Sequence, residues 1–264
     1  MSGPSVASPR GPGAGPLLEL EGVSAAYGQF RALFDVSFAV PEGSAVALLG
    51  PNGSGKSTIA RVSSGLIRAT AGRLRFAGQD VTGLAAWRLA RLGVAHAVEG
   101  RSVFASLTVT ENLELTFRQS LGKEAMGPAV ERAFAAFPGL AARRRQSAGT
   151  LSGGEQRMLS LAKVLADPPR LLIVDELSLG LAPIIIDAVF RTLRDVRDAG
   201  TTLLVIEQHI GRALELADYA VLLSKGAVVR HGPAAEMAEL AGEILPALSP
   251  ERPAERAGTP ERAD

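Results

Sequence analysis

Residues 50–58 read GPNGSGKST, and they fit the pattern G-x-x-x-x-G-K-[ST] of a loop that wraps phosphate groups. Glycines let the backbone turn tightly and point its N–H groups at an anion. The ammonium of Lys56 is placed to reach the β- and γ-phosphates, and the Ser57 hydroxyl is placed to ligate Mg²⁺. We therefore predict a nucleotide site formed by Gly50, Pro51, Asn52, Gly53, Ser54, Gly55, Lys56, Ser57 and Thr58.

The residues on either side of this loop predict a buried strand before it and a helix after it. Ala45–Leu49 is continuously apolar, which is the pattern of a strand buried on both faces, and residues 57–66 look helical. The same apolar pattern returns at Leu171–Val174 and at Leu203–Ile206. Further helix-like stretches cover residues 153–166, 184–199 and 212–217. Apolar strands that alternate with helices predict an α/β fold around a mostly parallel core sheet.

Two further patterns predict parts attached to this core. Apolar and polar residues alternate over Leu17–Ser24 and Phe34–Val40, and together with residues 218–230 these stretches predict antiparallel sheet at the edges. Residues from about 100 to 165 are mostly helix-like and contain no convincing strand. We therefore predict a helical subdomain inserted into the α/β core.

The two ends differ in composition from the rest of the chain. Residues 1–16 are rich in Gly, Pro and Ser, and residues 246–264 combine Pro, Ala, Arg and Glu with almost no large apolar residue. Such segments bury too little apolar surface to fold alone. We predict disordered tails at both ends of one folded domain that covers residues 17–245.

Composition argues against several classes of function. The chain has 28 Lys and Arg against 27 Asp and Glu, a net charge of +1, so we expect no nucleic-acid partner. Its 264 residues include no cysteine, which excludes disulfides, thiolate metal sites and cysteine nucleophiles. No apolar stretch approaches the ~20 residues that span a bilayer, and residues 1–16 lack the apolar core of a secretory signal.

A pair of carboxylates, Asp175 and Glu176, follows the apolar run at Leu171–Val174. Because ligands of open α/β sheets bind at the carboxyl ends of the strands, we expect both side chains to face the phosphate loop. Asp175 is placed to hold Mg²⁺, directly or through water, and Glu176 is placed to orient and deprotonate the attacking water. Two carboxylates that merely cap a strand end are the alternative.

A second helix start suited to an anion lies far along the chain. Residues 151–156 read LSGGEQ, in which a Ser and two Gly residues precede a helix. One nucleotide does not need two helix-terminus phosphate sites from the same face of one subunit. The pattern therefore points to a site shared between two chains.

These three motifs, in this order, resemble those of ATP-binding cassette (ABC) transporter ATPases, and the resemblance covers residues 17–245. It implies the P-loop NTPase fold of that family, ATP and Mg²⁺ as ligands, and ATP hydrolysis as the activity. The family's signature motif corresponds to LSGGEQ, in which Glu155 stands before the Gln. Its implied contacts with the nucleotide of the opposite subunit come from Ser152, Gly153, Gly154, Glu155 and Gln156.

The resemblance implies roles for further residues. Tyr27 occupies the place of the aromatic residue that stacks on adenine, and the alternative is a half-exposed strand aromatic. His209 fits the histidine that contacts the γ-phosphate, against a packing or capping histidine. Residues 178–181 (SLGL) fit the segment that touches the partner subunit. The expected catalytic residues are thus Glu176, Lys56 and His209.

Two positions depart from the family pattern. Glu99 stands where the coupling loop normally carries a Gln that contacts Mg²⁺ and the attacking water. A Glu ligates Mg²⁺ through oxygen as well, but it adds a charge, and the expected metal ligands are Ser57, Asp175 and Glu99. Leu177 replaces the Pro that usually follows the catalytic Glu, which removes a φ restraint and predicts a looser loop.

Several segments resemble one branch of the family, the shorter ATPase of branched-chain amino acid importers. They are residues 99–101 (EGR), 111–113 (ENL), 148–150 (AGT), 178–183 (SLGLAP) and 207–208 (EQ). This resemblance implies import of branched-chain amino acids or related small amides. It also implies a second ABC ATPase subunit, two membrane permeases and, indirectly, an extracytoplasmic solute-binding protein, with the chain peripheral at the cytoplasmic face of the membrane. A soluble ABC ATPase acting on nucleic acid or ribosomes, and a weakly active regulatory subunit, remain alternatives.

Two segments of the predicted helical subdomain each allow two interpretations. Arg143, Arg144 and Arg145 fit an acidic partner or a solvated helix end. The apolar residues that follow the coupling loop fit either a contact with the membrane subunit or the core, and they are Val103, Phe104, Leu107 and Val109.

Overall fold

The computed structural model of the chain describes residues 15–97, 103–165, 168–178, 181–207 and 209–239. The predicted metal ligand Glu99 and the segment 246–264 lie outside the described residues, as do residues 179–180 and Gln208. Of the segment 1–16, only residues 15 and 16 are described.

The strands and helices alternate along most of the chain. The strands are β1 (Pro16–Tyr27), β2 (Phe30–Pro41), β3 (Ala45–Leu49), β4 (Ala71–Phe76), β5 (Gln79–Asp80), β6 (Val94–Ala97), β7 (Leu171–Asp175), β8 (Thr202–Ile206), β9 (Tyr219–Ser224) and β10 (Ala227–Pro233). The helices are α1 (Lys56–Ser63), α2 (Ala86–Arg91), α3 (Val109–Ser120), α4 (Gly122–Ala136), α5 (Pro138–Ala141), α6 (Gly153–Leu165), α7 (Pro183–Asp198) and α8 (Ile210–Leu216). Residues 234–239 are also helical.

The larger sheet carries the phosphate loop and the carboxylate pair. Its strand order is β10-β9-β3-β8-β7-β6, and every pair in it is parallel except β10 with β9. Strands β3, β7 and β8 are buried at every residue, because successive side chains enter different apolar clusters on the two faces of the sheet. This confirms the predicted α/β fold with a mostly parallel core sheet.

The smaller sheet is antiparallel, with the order β2-β1-β4-β5. Its inner face packs on the larger sheet through one apolar cluster that includes Leu18, Val36 and Leu74 together with Ile59 of α1. The predicted antiparallel edge is therefore confirmed. The segment 218–230 was expected at an edge, but β9 lies inside the larger sheet, and only β10 forms its border.

The described part of the middle segment, residues 103–165, contains α3 to α6 and a 3-10 turn, Ala148–Thr150, and no strand. Its core is built around Leu113, Phe117 and Phe134. The backbone around Phe104 is fixed by the buried side chain of Asn112, which accepts the Phe104 N–H at 2.8 Å. Val109 is buried in this core, whereas Phe104 is exposed and lies under the ammonium of Lys163.

Two residues of the arginine run have partners within the chain. Arg144 makes two hydrogen bonds of 2.8 Å with the carboxylate of Glu131, and Arg143 forms an ion pair of 2.6 Å with Glu155. A partner-binding role for these two side chains would require them to leave those carboxylates. The structure therefore favours the reading of the run as a helix end rather than as a binding patch.

The imidazole of His96, on β6, makes the unfolding free energy depend on pH. Burial, and then the charge of Arg61, lower the pKa of His96 from 6.5 to about 4. Since the unfolded chain binds the proton more readily, the stability is complete above pH 6.5 and is lost as the pH falls towards 4, by up to about 3 kcal/mol. We expect His96→Asn to flatten this acid-side slope in urea unfolding relative to the wild type. Equal slopes for wild type and His96→Asn would contradict the prediction.

Candidate functional site

The phosphate loop connects the buried strand β3 to the first turn of α1. Two of its glycines are required by space as well as by φ. Gly50 has φ 142, and a Cβ there would lie 2.3 Å from the carbonyl oxygen of Leu223. Gly55 has φ 104, and its Cβ would lie 2.7 Å from Cδ2 of Leu33. The loop thus lies directly against β2 and the end of β9, which leaves its other side open.

Lys56 is the first residue of α1, and its ammonium folds back over the loop. Its Nζ donates to the carbonyl oxygens of Gly50 at 2.8 Å and Pro51 at 3.0 Å. Burial holds the pKa of Lys56 below its usual value, although the charges of Glu176 and Asp175 work in the opposite direction. The side chain is therefore a desolvated cation in the curve of the loop.

The predicted metal ligands that the structure describes are adjacent. The Ser57 hydroxyl donates to Oδ1 of Asp175 at 3.0 Å, although 118 residues separate them in sequence. A hydroxyl and a carboxylate oxygen side by side fit Mg²⁺, which is usually held by one or two carboxylates and by the phosphates of its substrate. When bound, the ion would neutralise charge on the β- and γ-phosphates.

Glu176 directly follows β7 and has φ 51, in the left-handed region that costs a non-glycine residue about 1–3 kcal/mol. Its N–H donates to the carbonyl oxygen of Ile206 at 2.9 Å. The next residue, Leu177, is buried in the apolar core, and its carbonyl accepts a hydrogen bond from Arg157. The segment is thus anchored by packing and by hydrogen bonds, although the sequence predicts a looser loop from the absence of Pro.

An open cleft of about 600 Å³ lies beside the phosphate loop and Glu176, and the predicted site residues Gly50, Pro51, Ser54 and Asp175 are not part of its lining. Among the predicted site residues, its lining includes Tyr27, Asn52, Gly53, Gly55, Lys56, Ser57, Thr58 and Glu176. Sequence reasoning missed the rest of the lining, which is Phe30, Arg31, Ala32, Phe34, Lys225 and Gly226. Phe30 and Phe34 are exposed aromatic residues on β2. Their exposure would have marked them as candidate site residues, but it cannot be read from the sequence.

Tyr27 lies at the mouth of the cleft and is 41% exposed. Its hydroxyl accepts a hydrogen bond from the guanidinium of Arg61 at 3.2 Å and lies 3.5 Å from the Thr58 hydroxyl. The ring is therefore tethered to α1 while one part of it faces solvent. A planar base has room to stack there.

The signature segment is built as a capped helix start away from the cleft. The N–H and the hydroxyl of Ser152 donate to the Glu155 carboxylate at 2.8 Å and 2.9 Å, and the N–H of Glu155 donates back to Ser152 Oγ at 3.3 Å. The hydrogen bonds from Ser152 and the charge of Arg143 hold the pKa of Glu155 below its usual range. Gln156 is tied to the carbonyl of Ala148 at 3.0 Å. Ser152 and Gly153 are exposed and do not line the cleft of their own chain.

His209 precedes α8 as its N-cap residue and is exposed. It does not line the cleft, so its contact with the γ-phosphate stays a prediction.

The nearby residue Glu207 has a structural role that the sequence does not predict, where it only supports the resemblance to one branch of the family. Its carboxylate is buried and accepts the N–H of Ser178 at 3.1 Å as well as the Ser178 hydroxyl proton. Burial raises the pKa of Glu207, although the hydrogen bonds from Ser178 work against that shift.

Comparison with known proteins identifies the family. The family model described as ABC transporter matches residues 33–178. The chain is 41% identical to the high-affinity branched-chain amino acid transport ATP-binding protein BraG of Pseudomonas aeruginosa, over 81% of this chain and 92% of that protein. It is 37% identical to the probable branched-chain amino acid transport ATP-binding protein LivF of Archaeoglobus fulgidus, over 82% of this chain and 92% of that protein. It is also 30% identical to the lipopolysaccharide export system ATP-binding protein LptB of Escherichia coli, over 83% of this chain and 92% of that protein.

Solved structures show the same fold. A nucleotide-free ATP-binding cassette from an ABC transporter superposes with a TM-score of 0.77 at 26% identity, over 88% of this chain and 97% of that one. The ADP conformation of another such cassette superposes with a TM-score of 0.76 at 27% identity, over 88% of this chain and 96% of that one. With the phosphate loop, the carboxylate pair and the family match in agreement, the chain belongs to the ABC transporter family and is an ATP-binding ATPase subunit of it.

Proposed function

We propose that this subunit hydrolyses MgATP in the cleft between the phosphate loop and β7. The observation that carries this proposal is that Lys56, Ser57 and Glu176 line one cleft, with Asp175 held against Ser57 by a hydrogen bond of 3.0 Å. Lys56 and the loop N–H groups hold the β- and γ-phosphates, and Ser57, Asp175 and Glu99 organise Mg²⁺. Glu176 orients the attacking water and accepts its proton, and Tyr27 stacks on the adenine.

The complete site is formed by two ABC ATPase subunits, either two copies of this chain or this chain with a related one. Ser152, Gly153, Gly154, Glu155 and Gln156 cover the nucleotide of the opposite subunit, and His209 supports the γ-phosphate. This is supported by the exposed, glycine-rich start of α6, a helix N-terminus that suits an anion and does not line the cleft of its own chain. In this arrangement residues 17–245 form one cassette, with a helical subdomain at about 100–165.

The transported solute is, in this proposal, a branched-chain amino acid or a related small amide. The greater identity to BraG and LivF than to LptB supports import of that class. The subunit would then work at the cytoplasmic face of the membrane against two permeases, with a solute-binding protein outside. In the described residues no helix is both long and apolar enough to cross a membrane.

Uptake measurements test this assignment. Cells that carry Glu176→Gln at the native locus should lose ATP-dependent uptake of labelled leucine, isoleucine or a short amide, while cells that carry Glu239→Gln keep it. Unchanged uptake of all these solutes, together with a defect in lipopolysaccharide export, would favour the exporter represented by LptB. Recovery of the chain on ribosomes instead of membranes would favour the soluble ABC ATPase. A reconstituted complex that binds ATP without hydrolysing it would favour the regulatory subunit.

A further inference from the structure

The loop that follows β7 is held from two sides. On one side the guanidinium of Arg157, in α6, donates to the carbonyl oxygen of Leu177 at 2.8 Å. On the other side Glu207, just after β8, accepts both the N–H and the hydroxyl proton of Ser178. Glu207 and Ser178 are 2% and 1% exposed, so water does not compete for this second anchor. The two anchors lie directly after Glu176 in the chain.

Glu176 depends on these anchors because its backbone conformation is unfavourable by itself. A non-glycine residue at φ 51 persists only where its surroundings over-determine it. The hydrogen bond from its N–H to Ile206 fixes the start of the loop, and the Arg157 and Glu207 anchors fix the next two residues. Loss of an anchor would let Glu176 relax and move its carboxylate in the cleft.

Arg157 belongs to the helix whose first turn contains the signature segment. Gly154, in that turn, packs against the chain beyond Ser178, since a Cβ there would lie 3.3 Å from Cγ2 of Ile185 and 3.5 Å from Cδ2 of Leu181. The signature turn and the Glu176 loop are therefore joined by a close packing contact and by a hydrogen bond. A displacement of α6 is passed to the carbonyl of Leu177.

We propose that Arg157 is a positioning residue that ties the Glu176 carboxylate to the signature segment of the same subunit. This inference rests on the proposed function, which places the partner subunit's ATP on that segment. When the segment is seated on that ATP, α6 and Arg157 hold the Glu176 loop ready for attack in the subunit's own cleft. Arg157 itself contacts neither nucleotide nor attacking water, and it does not line the cleft.

The test compares Arg157→Met and Arg157→Lys in the assembled transporter complex, with Arg118→Met, an exposed arginine of α3, as the matched control. Met removes the donor, whereas Lys keeps one ammonium within reach of a carbonyl. Because a misplacement of about 1 Å costs up to about a hundredfold, we expect kcat to fall about ten- to hundredfold in Arg157→Met and about threefold in Arg157→Lys. KM for ATP should stay within about twofold, and Arg118→Met should match the wild type.

Two further measurements distinguish a positioning role of Arg157 from a role in stability alone. The melting temperature of the isolated subunit should fall by no more than a few degrees in Arg157→Met, as expected for one lost hydrogen bond, and its affinity for ATP should not change. The losses of Arg157→Met and Ser178→Ala should combine less than additively, because both residues anchor one loop. A wild-type kcat in folded Arg157→Met, or a loss carried wholly by KM, overturns the inference. If Arg157→Met does not fold, a wild-type kcat in folded Arg157→Ala, which also lacks the donor, overturns it equally. Wild-type turnover by Glu176→Gln would instead overturn the proposed function, whatever Arg157 does.

Discussion

Replacement of Glu176 by Gln is expected to lower kcat for ATP about a hundred- to ten-thousandfold, the usual contribution of a general base, while the chain still binds ATP. The amide keeps the shape of the side chain and removes its ability to accept a proton. In the proposed site, Lys56, Ser57 and Asp175 would hold the nucleotide and its Mg²⁺ independently of that carboxylate. Steady-state hydrolysis by the complex and ATP binding by the isolated chain measure the two effects separately.

The control for this variant is Glu239→Gln, an exposed carboxylate outside the cleft, which should leave both hydrolysis and binding at the wild-type level. The left-handed backbone at residue 176 is tolerated by Gln as by Glu, so the melting temperature should hold. Turnover by Glu176→Gln at the wild-type rate would remove this residue from the mechanism.

Lys56→Met is expected to reduce kcat/KM for ATP about a hundred- to thousandfold, comparable to the loss of one preorganised donor to a developing negative charge. The ammonium is desolvated in the curve of the loop, where its interaction with phosphate is little screened by water. Because the desolvation of this ammonium outweighs its attraction to Glu176 and Asp175, its replacement by apolar Met of similar length should not lower the free energy of unfolding. Hydrolysis assays and urea unfolding check the two statements.

Lys123→Met, on the exposed start of α4, is the control for the removal of one positive charge. It should leave kcat/KM unchanged, since Lys123 lies outside the cleft. Equal losses in the two variants would mean that net charge governs the rate. An unchanged rate in Lys56→Met would contradict the placement of the γ-phosphate in this loop.

The core sheet was predictable because its strands are buried on both faces. Ala45–Leu49 is predicted and observed with the same ends, and the apolar runs that became β7 and β8 differ from them by one residue. By contrast, β4, β5, β6 and α2 were not predicted, since they are short and half-exposed and carry no clear period in the sequence.

The candidate site was predictable as far as local motifs reach. Asp175 ends β7 and Glu176 follows it, while Lys56 and Ser57 come after β3 and the phosphate loop, so parallel pairing brings all four to one edge of the sheet. The side chains of Phe30 and Lys225 reach the same cleft only because the β1–β2 hairpin and the β9–β10 turn lie against the phosphate loop. Contacts of that kind depend on tertiary packing, and no spacing in the sequence encodes them.

The central claim is that this chain carries half of each ATP site, and Ser152→Asp tests it most directly. Asp accepts the capping hydrogen bond as Ser does, but it cannot donate to Glu155, and it sets a negative charge against both Glu155 and the partner subunit's ATP. Ser152→Asn caps without a charge, and the melting temperature of the isolated Ser152→Asp chain reports any loss of the cap itself. We predict that the isolated Ser152→Asp chain binds ATP like the wild type, while the assembled complex loses most of its hydrolysis and the Ser152→Asn complex keeps far more. Equal hydrolysis by the Asp and Asn complexes would contradict a shared site.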